Sequence, residues 1–238
     1  MNARRIVSVL VASVALCVML GSVATLQAIT ILVPGTSNPW LAGMPNGSTA
    51  SFGDVAPAQS PVLVTGINLT AGSALDFFAT GLVSNGPGQT IDNPDGGVVI
   101  SHFVGAENGI ADATAGVNSL MGVFLDNTQP NLTAAPGPSA FSPSALTIAP
   151  GLKQPFFIGD GLTGTGTGAV QSFIIPSGAT RFFLGTMDGF EWNNNTGSFD
   201  VRVTPATAAV PEASATCTML LLGVTATLGL KRLLRLRV

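Results

Sequence analysis

One loop in this 238-residue chain carries most of its chemistry. Residues 181–202 read RFFLGTMDGFEWNNNTGSFDVR. A strand pattern ends at Gly185, and Gly197 opens the next. Between them lie one carboxylate, Asp188, and three consecutive amides, Asn193, Asn194 and Asn195. Such a set of hard oxygen donors in a tight, glycine-framed loop fits Ca²⁺, which binds carboxylate, amide and backbone oxygens. Trp192 in the same loop is a candidate exposed aromatic for the apolar face of a sugar. A plain Asn-Gly turn is the alternative, since Asn also tolerates left-handed backbone.

Other reactive side chains are scarce. Between residues 29 and 209 there is no Cys and no Tyr, and the one His of the chain is His102. A single histidine with no Ser or Cys nucleophile context is a poor general base, so His102 reads as a structural or rim residue. Asp188 and Glu191 form a nominal carboxylate pair for glycoside hydrolysis, but two acids in an amide-rich loop better suit a cation or solvent. The chain is therefore expected not to be an enzyme. The run 161–168, GLTGTGTG, lacks a following Lys-Ser/Thr and a following helix, so it is a hairpin turn and not a phosphate loop.

Charge narrows the partners. Residues 29–209 hold three bases against eleven acids, a net charge of −8 that the six terminal bases mask in the whole-chain value of −3. An acidic surface disfavours nucleic acid and favours cations or neutral glycans.

The elements that must position the loop read as all-β. Gly and Pro recur every few residues, and short Val/Ile/Phe/Thr runs are bounded by turn residues. Strands are expected at 29–33, 62–68, 73–80, 97–103, 120–125, 145–148, 155–158, 170–175, 180–185 and 197–204. That spacing predicts a β-sandwich of jelly-roll type over 29–209. In the last strand Phe199, Val201 and Val203 alternate with Asp200, Arg202 and Thr204, giving one buried and one wet face. The turn-rich segment 34–60 is expected as a surface excursion that packs Trp40 and Phe52 onto the sandwich. Residues 129–143, with four prolines, read as a loop.

Both ends read as targeting segments. Arg4 and Arg5 precede an apolar run over 6–20, and small residues follow, with cleavage expected after Ala24 or Ala28. This is a secretory signal peptide, residues 1–28, processed by signal peptidase. At the other end Val210-Pro211-Glu212 precedes sixteen uncharged residues, 215–230, and a basic Lys231-Arg232-Leu-Leu-Arg235-Leu-Arg237 end. A sixteen-residue helix spans about 24 Å, a short membrane crossing whose basic end stays cytoplasmic. Residues 210–238 resemble the PEP-CTERM sorting signal, with Ala213 where that family usually has Pro. The resemblance implies recognition by an exosortase near Pro211-Glu212, transient membrane insertion, and delivery to the surface or matrix of a Gram-negative, exopolysaccharide-making bacterium.

Asp188, a short spacer, then Asn194-Asn195-Thr196-Gly197-Ser198-Phe199 and an alternating strand resembles the end of the small calcium-dependent galactophilic bacterial lectins, which are jelly rolls. The block from Asn68 to Pro87, NLTAGSALDFFATGLVSNGP, resembles that family's strand, Ala-x-Gly and Gly-Pro loop. The resemblance implies Ca²⁺ held by Asp188, Asn194, Asn195, the carbonyl of Asn85 and a loop carbonyl near Trp192. A sugar then joins the ion through two hydroxyls, with Asp188, Trp192, Asn195 and Asp95 as sugar contacts. The loop is one residue shorter than the family's. Asp92-Asn-Pro-Asp95-Gly-Gly stands where the family's second sugar loop lies, without its His and Gln. The expectation is an exported, non-catalytic, calcium- and glycan-binding module. The alternative is a structural matrix protein without specific sugar binding.

Overall fold

Alternation along one strand and continuous apolarity along another fix how the layers stack. The computed structural model describes residues 28–206, all within one unit. Its strands are β1 (Ile29–Pro34), β2 (Val62–Leu63), β3 (Ala74–Ser84), β4 (Ile91–Asp92), β5 (Val99–Ser101), β6 (Thr114–Gly116) and β7 (Leu120–Leu125). They continue with β8 (Thr147–Ile148), β9 (Phe156–Phe157), β10 (Leu162–Gly164), β11 (Thr167–Val170), β12 (Ser172–Ile174), β13 (Arg181–Thr186) and β14 (Thr196–Pro205). The protein is all-β, as its composition predicts.

The larger sheet has the order β1-β14-β3-β12-β8, with β4 paired to the end of β3. Its pairs are antiparallel except β12 with β8. The smaller sheet runs β2-β13-β7-β9 and is antiparallel throughout. Two hairpins, β5–β6 and β10–β11, stand apart from both.

The two sheets share one core. Phe77, Phe199, Val201 and Val203 from the larger sheet meet Leu120, Phe124, Phe182 and Leu184 from the smaller. The Phe77 and Phe182 rings lie 5.7 Å apart. Each fully buried side chain of this size contributes about 2–3 kcal/mol of transfer free energy. Asp200 and Arg202 face outward between the buried residues of β14.

The smaller sheet is buried on its other face too. Met121, Val123, Leu125 and Phe183 point into a second cluster with Trp40, Ile110, Met187 and Trp192. All six residues of β7 are therefore buried, which explains why LMGVFL is apolar without alternation. The cover on this face combines irregular chain, including the Asp188 loop, with Ile100 and Ala115 of the β5–β6 hairpin.

Each of the ten segments expected as a strand contains one. β2 is only two residues long, β3 runs on to Ser84, and β4, β6, β10 and β11 are additional. The run 161–168 falls in the β10–β11 hairpin. The segment 34–60 is more than a surface excursion. It buries Trp40 and Leu41, and Leu41, Ala50 and Ala56 form a small cluster of their own. Phe52, expected to pack inward, is instead 52% exposed.

The signal peptide, apart from Ala28, lies outside the described residues, as do the sorting residues Val210, Pro211 and Glu212 and the segment 215–230. Among the described residues no helix is long and apolar enough to cross a membrane.

Candidate functional site

The Asp188 loop connects the last strand of one sheet to the last strand of the other. β13 is held at its end by Thr186, whose Oγ1 donates to the Gly35 carbonyl at 2.7 Å. The chain then turns back through Glu191, which adopts left-handed backbone at φ 60°, into a 3₁₀ turn over Trp192–Asn194. Three features hold that turn. Asp54, fully buried, accepts from the backbone N–H groups of Trp192 (3.0 Å) and Asn193 (2.9 Å) and from Asn38 Nδ2 (3.0 Å). A carboxylate at the start of a turn satisfies N–H groups that have no partner within it. Trp192 drives its indole inward, and its Nε1 donates to the Thr186 carbonyl at 2.9 Å. Its ring lies 5.4 Å from Trp40.

Trp192 is thus an anchor and not a sugar platform. It is 1% exposed, and the expected stacking role for its side chain is corrected. The indole is buried because its N–H finds a carbonyl beneath the loop, so the whole ring can join the second core without leaving a donor unpaired. Its own carbonyl accepts from the Asn195 N–H at 3.1 Å.

Asp188 and Asn195 are 3% and 5% exposed. Asp188 Oδ1 accepts from the Gly189 N–H at 2.6 Å, while Oδ2 has no partner at full hydrogen-bond geometry, the Asn195 amide and the Phe190 N–H lying near the carboxylate. Asn195 Nδ2 donates to the Gly35 carbonyl at 3.1 Å, and Asn194 Nδ2 donates to Glu191 Oε2 at 3.2 Å. Each amide therefore spends its donor on the protein and leaves Oδ1 buried without a partner. Three of the seven such buried atoms among the described residues fall on these three side chains. Leaving one buried polar group unsatisfied costs about 1–3 kcal/mol, and three such atoms lie in this one loop.

The electrostatics agree. Burial pushes the Asp188 carboxyl up to about 6, against the Gly189 N–H, the Asn195 amide and the Phe190 N–H, with the Asp54 charge adding to the rise. Among the described residues no base relieves it. Arg181 is committed to the carbonyls of Asp126 and Thr128, and Lys153 to the carbonyls of Pro130, Thr133 and Ala134. Arg202 is on the outer face of β14.

Asp188, Asn194 and Asn85 line one cleft of about 370 Å³, together with Gly86 and Phe190. Asn85 arrives from the loop after β3. Gly86 adopts φ 134°, and a Cβ there would stand 3.2 Å from Asn194 Oδ1, so the glycine leaves room around that oxygen. Asn118, fully buried at φ 68°, ties the parts together. Its N–H donates to the Met187 carbonyl at 2.7 Å, and its Nδ2 donates to Asp92 Oδ2 at 2.7 Å and, at 3.4 Å, reaches Asn85 Oδ1.

Three of the expected ligand residues, Asp188, Asn194 and Asn85, thus line one cleft, and the Asn195 amide lies beside the Asp188 carboxylate. Asp95 is not among them. Its Oδ1 accepts from the Asp160 N–H at 3.0 Å, and it lines a separate depression with Phe141 and Phe157. Its assignment as a sugar contact is corrected, because it lines a different depression from the one that Asp188 lines. Among the described residues, no group of three or more His, Cys, Asp or Glu converges. Two carboxylates, Asp188 and Glu191, line the cleft beside the amides of Asn85 and Asn194, an all-oxygen set of the kind that could hold a hard cation.

His102 is buried flat against Trp40, with ring centroids 3.8 Å apart at 19°. Its Nδ1 lies 2.7 Å from the Gly105 carbonyl, and its Nε2 is 3.6 Å from Glu107 Oε2. Burial lowers its pKa below the ordinary histidine value, against the Gly105 carbonyl and the nearby acids.

Sequence reasoning missed Asp54 and Asn118. Each acts on partners far away in the chain, so neither left a local sign.

Comparison with family models, with curated proteins and with solved structures returned no match.

Proposed function

We propose that the protein is an exported, surface-sorted, non-catalytic module that binds Ca²⁺ and, beside it, a neutral extracellular glycan, on a sandwich of jelly-roll type. The observation that carries this is the set of unpartnered buried oxygens on Asp188, Asn194 and Asn195. These residues would hold the ion, with the Asn85 carbonyl as a further ligand. The ion would supply the positive charge that the buried carboxylate lacks and leave positions for sugar hydroxyls. The export reading rests on Arg4, Arg5 and the apolar run after them, and the sorting reading on Val210-Pro211-Glu212 with the basic end. Signal peptidase and an exosortase are the processing partners in this reading, and extracellular polysaccharide is the final one.

A second reading has its own support. Trp192 is buried in the second core and hydrogen-bonded to the Thr186 carbonyl, as in a loop that an ion only stiffens. In that reading the protein is a structural component of the matrix.

Calorimetric titration of the 29–209 fragment, which holds all the described strands and the buried clusters between them, separates them. Ca²⁺ binding followed by calcium-dependent heat with neutral glycans supports the first reading. Ca²⁺ binding with no sugar heat supports the second. No Ca²⁺ binding overturns both.

A further inference from the structure

Three phenylalanines from three separate loops meet at the surface beside the oxygen cleft. Phe52, Phe103 and Phe190 are 52%, 63% and 36% exposed. Phe190 is the middle ring, 5.2 Å from Phe52 and stacked on Phe103 at 5.1 Å and 28°. It also lines the cleft with Asp188 and Asn194, so aromatic surface and unpartnered oxygens adjoin at one residue.

The positions are built. Phe52 adopts left-handed backbone at φ 64°, a conformation that costs a bulky residue on the order of 1 kcal/mol. Its turn is pinned from beneath by Glu107 Oε1, which accepts from the Ser51 N–H and hydroxyl at 2.7 and 2.5 Å. Phe103 is fixed by its N–H donating to the Gly189 carbonyl at 3.1 Å. Its ring lies so close to Gly189 that a Cβ there would stand 2.7 Å from it. Asp188 is therefore followed by a glycine over which an aromatic ring lies, and then by an exposed ring.

We propose that Phe190, flanked by Phe52 and Phe103, is the surface on which the apolar face of a neutral sugar packs while its hydroxyls point into the oxygen cleft. This rests on the calcium reading of the same cleft. An aromatic face next to hard oxygen donors matches a ligand with one C–H face and one hydroxyl-bearing edge. The charge selects against anionic sugars, since residues 29–209 carry −8 and no base lines the cleft. The occupant is thus a neutral pyranose unit of a polysaccharide.

The test uses the 29–209 fragment and the methyl glycosides of galactose, mannose and glucose, with and without Ca²⁺, on the parent and on Phe190→Ala and Phe190→Trp. The proposal expects calcium-dependent binding of at least one glycoside. Phe190→Ala should weaken it about tenfold with Ca²⁺ affinity within twofold of the parent, and Phe190→Trp should retain it. Ca²⁺ binding without heat from any glycoside overturns the aromatic platform and leaves the calcium site standing. Glycoside binding that is equal in Phe190→Ala overturns it as well. Absence of Ca²⁺ binding removes its premise and overturns both. Sedimentation is run in parallel, and self-association of the parent that disappears in Phe190→Ala would assign the rings to a second copy of the chain and overturn the sugar.

Discussion

Asp188 carries a buried charge that nothing in the described protein neutralises. Its carboxyl titrates at about 6, against ~3.9 for an unfolded Asp. A folded value above the unfolded one means that the stability contributed is fully present below pH ~4 and lost as pH rises through about 6. Without calcium, ionised Asp188 thus disfavours folding at pH 7 by on the order of 2 kcal/mol. Replacing it by Asn removes the charge and keeps the shape. Asp188→Asn is expected to raise the Tm of the calcium-free protein at pH 7 by a few degrees in scanning calorimetry and to abolish Ca²⁺ binding. His102 pulls the other way. Its depressed pKa means that stability is lost as pH falls below its unfolded value of ~6.5. The Asp188 contribution is therefore read as the difference between parent and variant across pH 4–7, which should grow with pH. Protons also compete with the ion, so apparent Ca²⁺ affinity should fall up to about tenfold per pH unit below 6.

At the scale of elements, the loop is shaped by residues that touch no ion. Asp54 closes the Trp192–Asn194 turn from 138 positions away in the chain. Asp54→Ala would leave the Trp192 and Asn193 N–H groups and the Asn38 amide without their acceptor. It is expected to cost roughly 2–4 kcal/mol in denaturant unfolding and to weaken Ca²⁺ binding as well. Gly86→Ala places a Cβ against Asn194 Oδ1 at a backbone angle that suits glycine, and should weaken Ca²⁺ binding with little change in the large sheet, as read by hydrogen exchange of β14. The regular strands were legible because alternation and apolar runs have a period. β7 matches its expected bounds, and the buried and wet faces of β14 are as read. The loops have no period to read. Trp192 and Phe52 are both aromatic residues in turn-rich stretches, and the expectation placed the first outside and the second inside. The structure reverses them, because an indole N–H happens to meet the Thr186 carbonyl while the Phe52 turn is held by its neighbour Ser51. Neither contact can be inferred from nearby sequence.

Across the whole molecule, the Asp188 loop leaves the doubly buried smaller sheet, where β7 and β13 are packed on both faces. The amide donors of Asn194 and Asn195 are spent on fixed protein atoms, so the oxygens are oriented before any ion arrives. Preorganisation of this kind reduces the ordering that binding must impose. It predicts that Ca²⁺ raises Tm with little change in far-ultraviolet circular dichroism. The grouping of Asp188, Asn194 and Asn195 was legible, since the three lie within eight residues. Asn85 was reached by resemblance, and Asn118 and Asp54 only by the fold. For the ends of the chain, Pro211→Ala with Glu212→Ala should leave the protein in the inner-membrane fraction of its host, uncleaved, if the sorting reading holds.

The most direct measurement is Ca²⁺ titration of the 29–209 fragment at pH 6 in two buffers of different ionisation enthalpy, on the parent and Asp188→Asn. With Asp188 titrating at about 6, the parent should bind one ion and release about half a proton per ion. The variant should show neither the binding nor the release. Ca²⁺ binding of equal affinity in the two proteins, or none in the parent, would contradict the assignment of this loop as a calcium site.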